Sequence, residues 1–130
     1  MSDLVQAMAA SASGMQAQSA RLRLSAENLA NADTPGYRRK TVPFEALDPE
    51  RAAGAAVRIG RLRLFQGDLP VIHDPSHPLA DDQGEYEGSS IDLMTEIADS
   101  REAQRSYEAN LKLLEQARQM SRGLLDLLRR

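Results

Sequence analysis

Leu4, Met8, Met15, Leu22 and Leu29 follow one another at steps of 4, 7, 7 and 7 residues. A seven-residue repeat places successive apolar side chains on one narrow face of a helix, and no strand reproduces it, because a strand turns its side chains over at every step. A second repeat closes the chain: Ala103, Tyr107, Asn110, Leu114, Ala117, Ser121, Leu124 and Leu128 recur at alternating steps of four and three. The spacing predicts a mainly α chain with a long N-terminal helix over 1–31, a centre of turns and short strands over 32–90 and a long C-terminal helix over 91–130. The two helices are expected to form an antiparallel coiled-coil-like pair, with a small β-hairpin or irregular segment between them.

Alanine and serine fill much of the first helix, including Ala7, Ala10, Ala12, Ala17, Ser19 and Ala20. Such a surface lets helices approach closely but buries little area per residue, so several helices must share the seam. Leu111, Leu113, Leu125 and Leu127 widen the apolar surface of the second helix beyond what one partner covers. Ser89 and Asp92 have the spacing of a capping box at its start. Glu108 with Lys112, and Arg122 with Asp126, stand four apart and predict ion pairs along its outer face. Leu, Ile, Val and Phe make up about a fifth of the 130 residues, near the boundary between globular and disordered compositions. A large private core is therefore not expected, and much of the apolar surface should be covered by neighbours. From periodicity alone, a plain two-helix hairpin or the core of a small bundle is the favoured reading, because apolar heptads more often pack internally than build filaments.

The first helix must stop after Asn28, Leu29, Ala30 and Asn31. The short polar side chains of Asn28, Asn31 and Asp33 bond to nearby backbone and tolerate the left-handed region, Pro35 forbids continuation, and Gly36 opens conformations closed to other residues. In the centre, Val57-Arg-Ile59 and Leu62-Arg-Leu64 alternate as strand faces do, with Gly60 as a bulge or kink, and Leu69–Ile72 and Glu85–Glu87 are shorter candidates. Asp74, Pro75, His77 and Pro78 mark a turn. Pro75 prevents His73 and His77 from aligning on a helix, and there is no cysteine or third histidine, so turn packing is favoured over a metal site. No phosphate loop, flanked nucleophilic serine or paired catalytic carboxylates are evident, so neither an enzyme nor a cofactor is expected.

Charge is unevenly placed. Residues 38–63 carry Arg38, Arg39, Lys40, Arg51, Arg58, Arg61 and Arg63 against only Glu45, Asp48 and Glu50, whereas residues 64–90 carry Asp68, Asp74, Asp81, Asp82, Glu85 and Glu87 with no Lys or Arg. The two blocks read either as opposite-sign surfaces able to pair within one subunit or between successive subunits, or as an ordinary solvated loop region. The run Arg38–Lys40 lacks the aromatic platform or reading helix of a nucleic-acid binder. The amino terminus shows neither a basic leader nor an apolar stretch fit for a cleaved signal or a membrane span, which predicts no membrane insertion and export by another route.

Asn28-Leu-Ala-Asn31, Thr34-Pro35-Gly36-Tyr37, Arg38-Arg39-Lys40 and Phe44 together resemble the signature of bacterial flagellar rod, hook and hook-associated subunits. The stretch from Asp74 to Asp81, with Gly84 and Tyr86, Ile91–Glu96, Asp99 and Arg105–Asn110 extend the resemblance to the proximal rod members of that family. Ser100-Arg101 stands where an apolar pair is usual, so that helical turn should be shallowly buried. The resemblance implies a structural subunit of the proximal rod, part of the axial drive shaft that crosses the periplasm. Its implied partners are other rod subunits, further copies of itself and the flagellar type III export apparatus, with export lacking signal cleavage. The assembly stripes would then be Leu4, Met8, Met15, Leu22 and Leu29 on one helix and Tyr107, Asn110, Leu111, Leu114, Leu124 and Leu128 on the other. A sister proximal-rod protein, or a soluble helical-hairpin adaptor or chaperone, are the alternative assignments.

Overall fold

The computed structural model describes residues 2–47 and 56–130. Two helices dominate it, α1 over Ser2–Ala30 and α2 over Leu93–Leu128. At the helical rise, the 36 residues of α2 reach about 54 Å. The chain between the helices folds into short antiparallel ladders: β1 (Lys40–Thr41) pairs with β4 (Arg63–Leu64), β2 (Phe44–Ala46) with β3 (Val57–Ile59), and β5 (Val71–His73) with β6 (Glu85–Glu87). Asp48, Glu50 and Arg51 of the charge blocks lie outside the described residues.

The helices run antiparallel, as their contacts show: Asn28 meets Glu96, Arg21 meets Asp99 and Glu102, Gly14 meets Asn110, and Leu4 lies by Leu124. The face of α1 that packs on α2 is built from Ser11, Gly14, Ala17, Ser25 and Asn28. It lies beside the Leu/Met stripe rather than on it, and Leu4, Met8, Met15, Leu22 and Leu29 are all half-buried on its flank. On α2 the opposing positions are Glu96, Ala103, Asn110 and Ala117, one every seven residues, with Ala103 and Glu96 both 0% exposed. Small side chains win the seam because they let the backbones come close, and the larger apolar groups are displaced to its edges. A Cβ built on Gly14 would lie 2.8 Å from Asn110 Nδ2, which leaves no room for a side chain there.

The private core is correspondingly slight. Among the described residues the buried hydrophobic side chains are Ala17, Leu69, Ala103 and Ala117, while Leu113, Met120, Leu125, Leu127 and Leu128 are exposed. Arg101 is exposed and Ser100 half-buried, in keeping with a shallow turn at that point of α2.

Several local expectations are corrected. The N-cap of α2 is Asp92 itself, whose carboxylate accepts from Met94 N and Thr95 Oγ1; Ser89 is not the cap, because its hydroxyl accepts from Ile91 N before the helix begins. Glu108–Lys112 and Arg122–Asp126 are not among the ion pairs of the described residues; both lie on exposed faces where water competes for each charge. No non-glycine residue among those described has a positive φ, so the left-handed step after α1 falls to Gly36, at φ 75°, and not to the asparagines. The strands of residues 40–41 and 44–46 were not expected, although Phe44-Glu45-Ala46 alternates much as its partner Val57-Arg58-Ile59 does.

β1 to β4 form one bent hairpin. Between its two ladders Val42 and Pro43 oppose Gly60, Arg61 and Leu62, so the second arm carries one extra residue, a bulge at the predicted glycine. The hairpin is fastened to α1 where Val57 N donates to Ser13 Oγ at 3.1 Å.

Replacing Gly14 by leucine is expected to weaken the helix pairing by about 1–3 kcal/mol, since a packed seam resists added volume. Denaturant unfolding of the purified variant measures this, and Asn110→Ala in the same chain should recover part of the loss by making room.

Candidate assembly site

Asn28 is 1% exposed and its side chain is fully engaged. Its Nδ2 donates to the Lys40 carbonyl at 2.9 Å and to Glu96 Oε1 at 3.3 Å, and its Oδ1 accepts from Lys40 N at 3.0 Å and from the Tyr37 hydroxyl at 2.8 Å. The amide therefore reads both backbone groups of one residue, as a neighbouring strand would, and ties the end of α1 to the start of β1.

The intervening chain is shaped to deliver Lys40 there. Asn31 N reaches back to the carbonyls of Glu27 and Asn28, and Asn31 Nδ2 donates to the Glu27 carbonyl at 2.8 Å, closing the helix. Thr34 Oγ1 then donates to Asn31 Oδ1. Thr34-Pro35-Gly36-Tyr37 is a type II turn: Pro35 fixes the first corner, Gly36 takes the positive φ of the second, and Tyr37 N donates to the Thr34 carbonyl at 3.2 Å. Ser90 N donates to the Tyr37 carbonyl and Arg39 N to Ser90 Oγ, so the approach to α2 is held against the same turn.

Arg39 completes the knot. Its Nε donates to Glu96 Oε1 and its Nη2 to Asp99 Oδ2, while Arg21 reaches Asp99 at 3.6 Å and Glu102 at 3.4 Å. Burial works against the Arg39 charge, but hydrogen bonding and attraction from Glu96, then from Asp99, outweigh it and raise the pKa. The Tyr37 phenol is raised too, chiefly by burial and next by the nearby Glu27 carboxylate. Lys40 is held above its ordinary value first by its hydrogen bond to Glu27. Glu96 Oε2 and Gln18 Oε1 are buried without a partner among the described residues.

Apolar grooves flank the seam above this knot. One, of about 560 Å³, is lined by Leu4, Ala7, Leu113, Ala117, Met120 and Leu124 together with polar neighbours. A second, of about 570 Å³, brings together Met15, Ala20, Ile59, Tyr107 and Leu114. Phe44, partly exposed, lines a third hollow of about 330 Å³ with Leu24, Val42 and the charged groups of the knot. Of the remaining stripe residues, Met8, Leu22 and Leu29 are half-buried, Asn110 faces Gly14, and Leu111 and Leu128 are exposed, Leu128 to 79%.

In the centre, Asp74 Oδ1 accepts from Ser76 N and Ser76 Oγ, bonds that lower its pKa, and His77 N donates to the Asp74 carbonyl. His77 stacks on Tyr86 with ring centroids 3.9 Å apart, and Gly84, at φ 76°, approaches Pro75. Pro78 is exposed. No group of three or more metal-ligating side chains occurs among the described residues.

Sequence reasoning missed Glu96, Asp99, Arg21 and Ser90 as parts of the site. Glu96 had a signal: it stands seven residues before Ala103, on the same repeat as Asn110 and Ala117.

Residues 8–38 match the family model described as flagella basal body rod protein, and residues 82–127 match that of the flagellar basal body rod FlgEFG protein C-terminal. The chain is similar to the flagellar basal-body rod protein FlgC of Agrobacterium fabrum, with 40% identity over 124 residues that cover 90% of this chain and 89% of that relative. FlgC of Aquifex aeolicus is 37% identical over 86% of this chain and 87% of its own length, and FlgC of Escherichia coli is 33% identical over 88% and 90%.

Asn28→Ala is expected to cost about 2–4 kcal/mol, because Lys40 and Tyr37 lose buried partners together. Asn28→Asp should cost no less, since it sets a second carboxylate beside Glu96 and turns a donor into an acceptor facing a carbonyl. Unfolding curves of both variants provide the check. A pH effect also follows from Tyr37. Its raised folded-state value means that its contribution is complete below the ordinary value of 10.0 and is lost as pH rises through the raised one. Stability measured at stepped alkaline pH should fall across that window, and Tyr37→Phe should remove this component.

Proposed function

This chain belongs to the FlgC family of flagellar basal-body rod proteins, and we propose that it builds the proximal rod by seating its helix pair against neighbouring subunits through the grooves beside its seam. It is a structural subunit of the flagellar basal body, assembles with other rod components, and is not an enzyme. The observation that carries the mechanism is the placement of apolar residues. The seam between the helices takes the small side chains, while Leu4, Met15, Leu114 and Leu124 border open grooves beside it.

Burying such groups against a neighbour contributes roughly 25 cal/mol per Å² of apolar surface, spread along the length of both helices. Many contacts of that kind, lying along the shaft axis, share the load when torque is applied, so the rod acts as a drive shaft across the periplasm. The central hairpins then face outward, and the turn at Asn31–Tyr37 sets the angle at which they leave the helices. Neighbours include further copies of this chain.

Delivery through the flagellar type III export apparatus, without cleavage, is part of the same proposal. A thin interior of alanine and glycine contacts makes unfolding for passage inexpensive. No helix among the described residues is long and apolar enough to cross a membrane. Membrane insertion and nucleic-acid binding have no part in this reading.

Leu114→Asp and Leu22→Asp are expected to abolish swimming on soft agar while export of the variant stays measurable. Leu114 borders a groove and Leu22 lies on the flank of the seam, so normal motility in both variants would reject the assigned surface.

A further inference from the structure

Among the described residues no ion pair joins the basic block to the acidic one. Among the described residues Arg39 pairs with Glu96 and Asp99, Lys40 with Glu27, and Arg58 with Glu45, while no ion pair reaches the acids of residues 64–90. Arg61 and Arg63, at the bulge and on β4, are exposed and carry no ion pair among the described residues, and Leu62 and Leu64 beside them are exposed as well. Across the molecule's other hairpin, exposed Asp82 and Glu87 and half-buried Glu85 likewise have no ion pair among the described residues, and Val71 and Leu79 nearby are exposed.

Each surface thus joins unneutralised charge to exposed apolar groups, and the two have opposite sign. We infer that they bind one another between copies: the Arg61–Arg63 arm of one subunit docks on the Asp82–Glu87 hairpin of the next. This rests on the rod-subunit reading and names the partner as a second copy of this chain. Glu85 and Glu87 share one face of β6, and Arg63 on β4 stands two residues after Arg61 at the bulge, so two charges of each sign lie close together on each surface. Because the two patches lie on different hairpins, each copy keeps a free patch of either sign when the contact is not reciprocated, and repetition of the contact then generates a ring or a helical path. Complementary charge fixes which surfaces meet and in what register, and the flanking leucines supply the area.

The absence of cysteine permits a direct test. Cells would express two tagged copies, Leu62→Cys and Gln83→Cys, and isolated basal bodies would be treated with a short bis-maleimide. A linked dimer of the two distinct copies is expected. Arg61→Glu with Arg63→Glu in the Leu62→Cys copy should lower its yield roughly tenfold, as like charges then face each other, and Glu85→Arg with Glu87→Arg in the other copy should restore it. No linkage, a yield indifferent to charge reversal, or no recovery on the double swap would overturn the inference. If the unaltered chain is present in basal bodies while the linkage fails, only this contact is wrong. If the chain is missing from them, the rod reading falls with it.

Discussion

Asn28 makes its bonds to Lys40 through one planar amide, and the rest of the molecule depends on that pairing. A primary amide offers a donor and an acceptor side by side without carrying charge, so it matches the N–H and C=O of a single residue. Because α1 is rigid, fixing Lys40 against its last turns fixes where β1 starts. Because β1 pairs with β4 and leads into β2, it also fixes the bent hairpin. The same amide touches Glu96, three residues inside α2, so one side chain sets the helix pair and the hairpin in a common frame.

That frame is polar where a self-sufficient domain would be apolar. A buried ion pair such as Arg39–Glu96 adds little net stability, since desolvating both charges offsets most of their attraction. Its value lies in register: sliding α2 by one turn would strand Glu96 in the seam opposite small apolar residues. The seam itself adds modest area, because Gly14, Ala17 and Ala103 have little surface to bury. A subunit built this way has its geometry defined by directional bonds while its leucines remain available, and this is the division of labour that assembly requires.

The helices were legible because a seven-residue repeat persists through many turns, and the stop at Pro35 and Gly36 because each residue has one physical effect. The inner face of α1 was not. Leucine and methionine draw attention as a core stripe, yet Gly14 and Ser11, one or a few positions away, allow a closer approach, and closeness decided the pairing. Glu96 was obscured for the opposite reason: a carboxylate at a seam position reads as surface until its arginine arrives from residue 39, which is distant in sequence. Phe44-Glu45-Ala46 alternates, but the strands at 40–41 and 44–46 exist only because partners from residues 57–64 lie against them.

The type II turn shows how far local chemistry reaches. Thr34, Pro35, Gly36 and Tyr37 account for the turn alone, but the turn places the Tyr37 hydroxyl on Asn28 and its carbonyl on Ser90 N. Removing the positive φ at Gly36 would therefore do more than strain four residues: it would move the phenol off the amide and the approach to α2 off the turn together. A signature that looks like a helix stop is, in the folded chain, the joint through which the two helices and the hairpins are held at one angle, and an assembly of repeated subunits needs that angle to be the same in every copy.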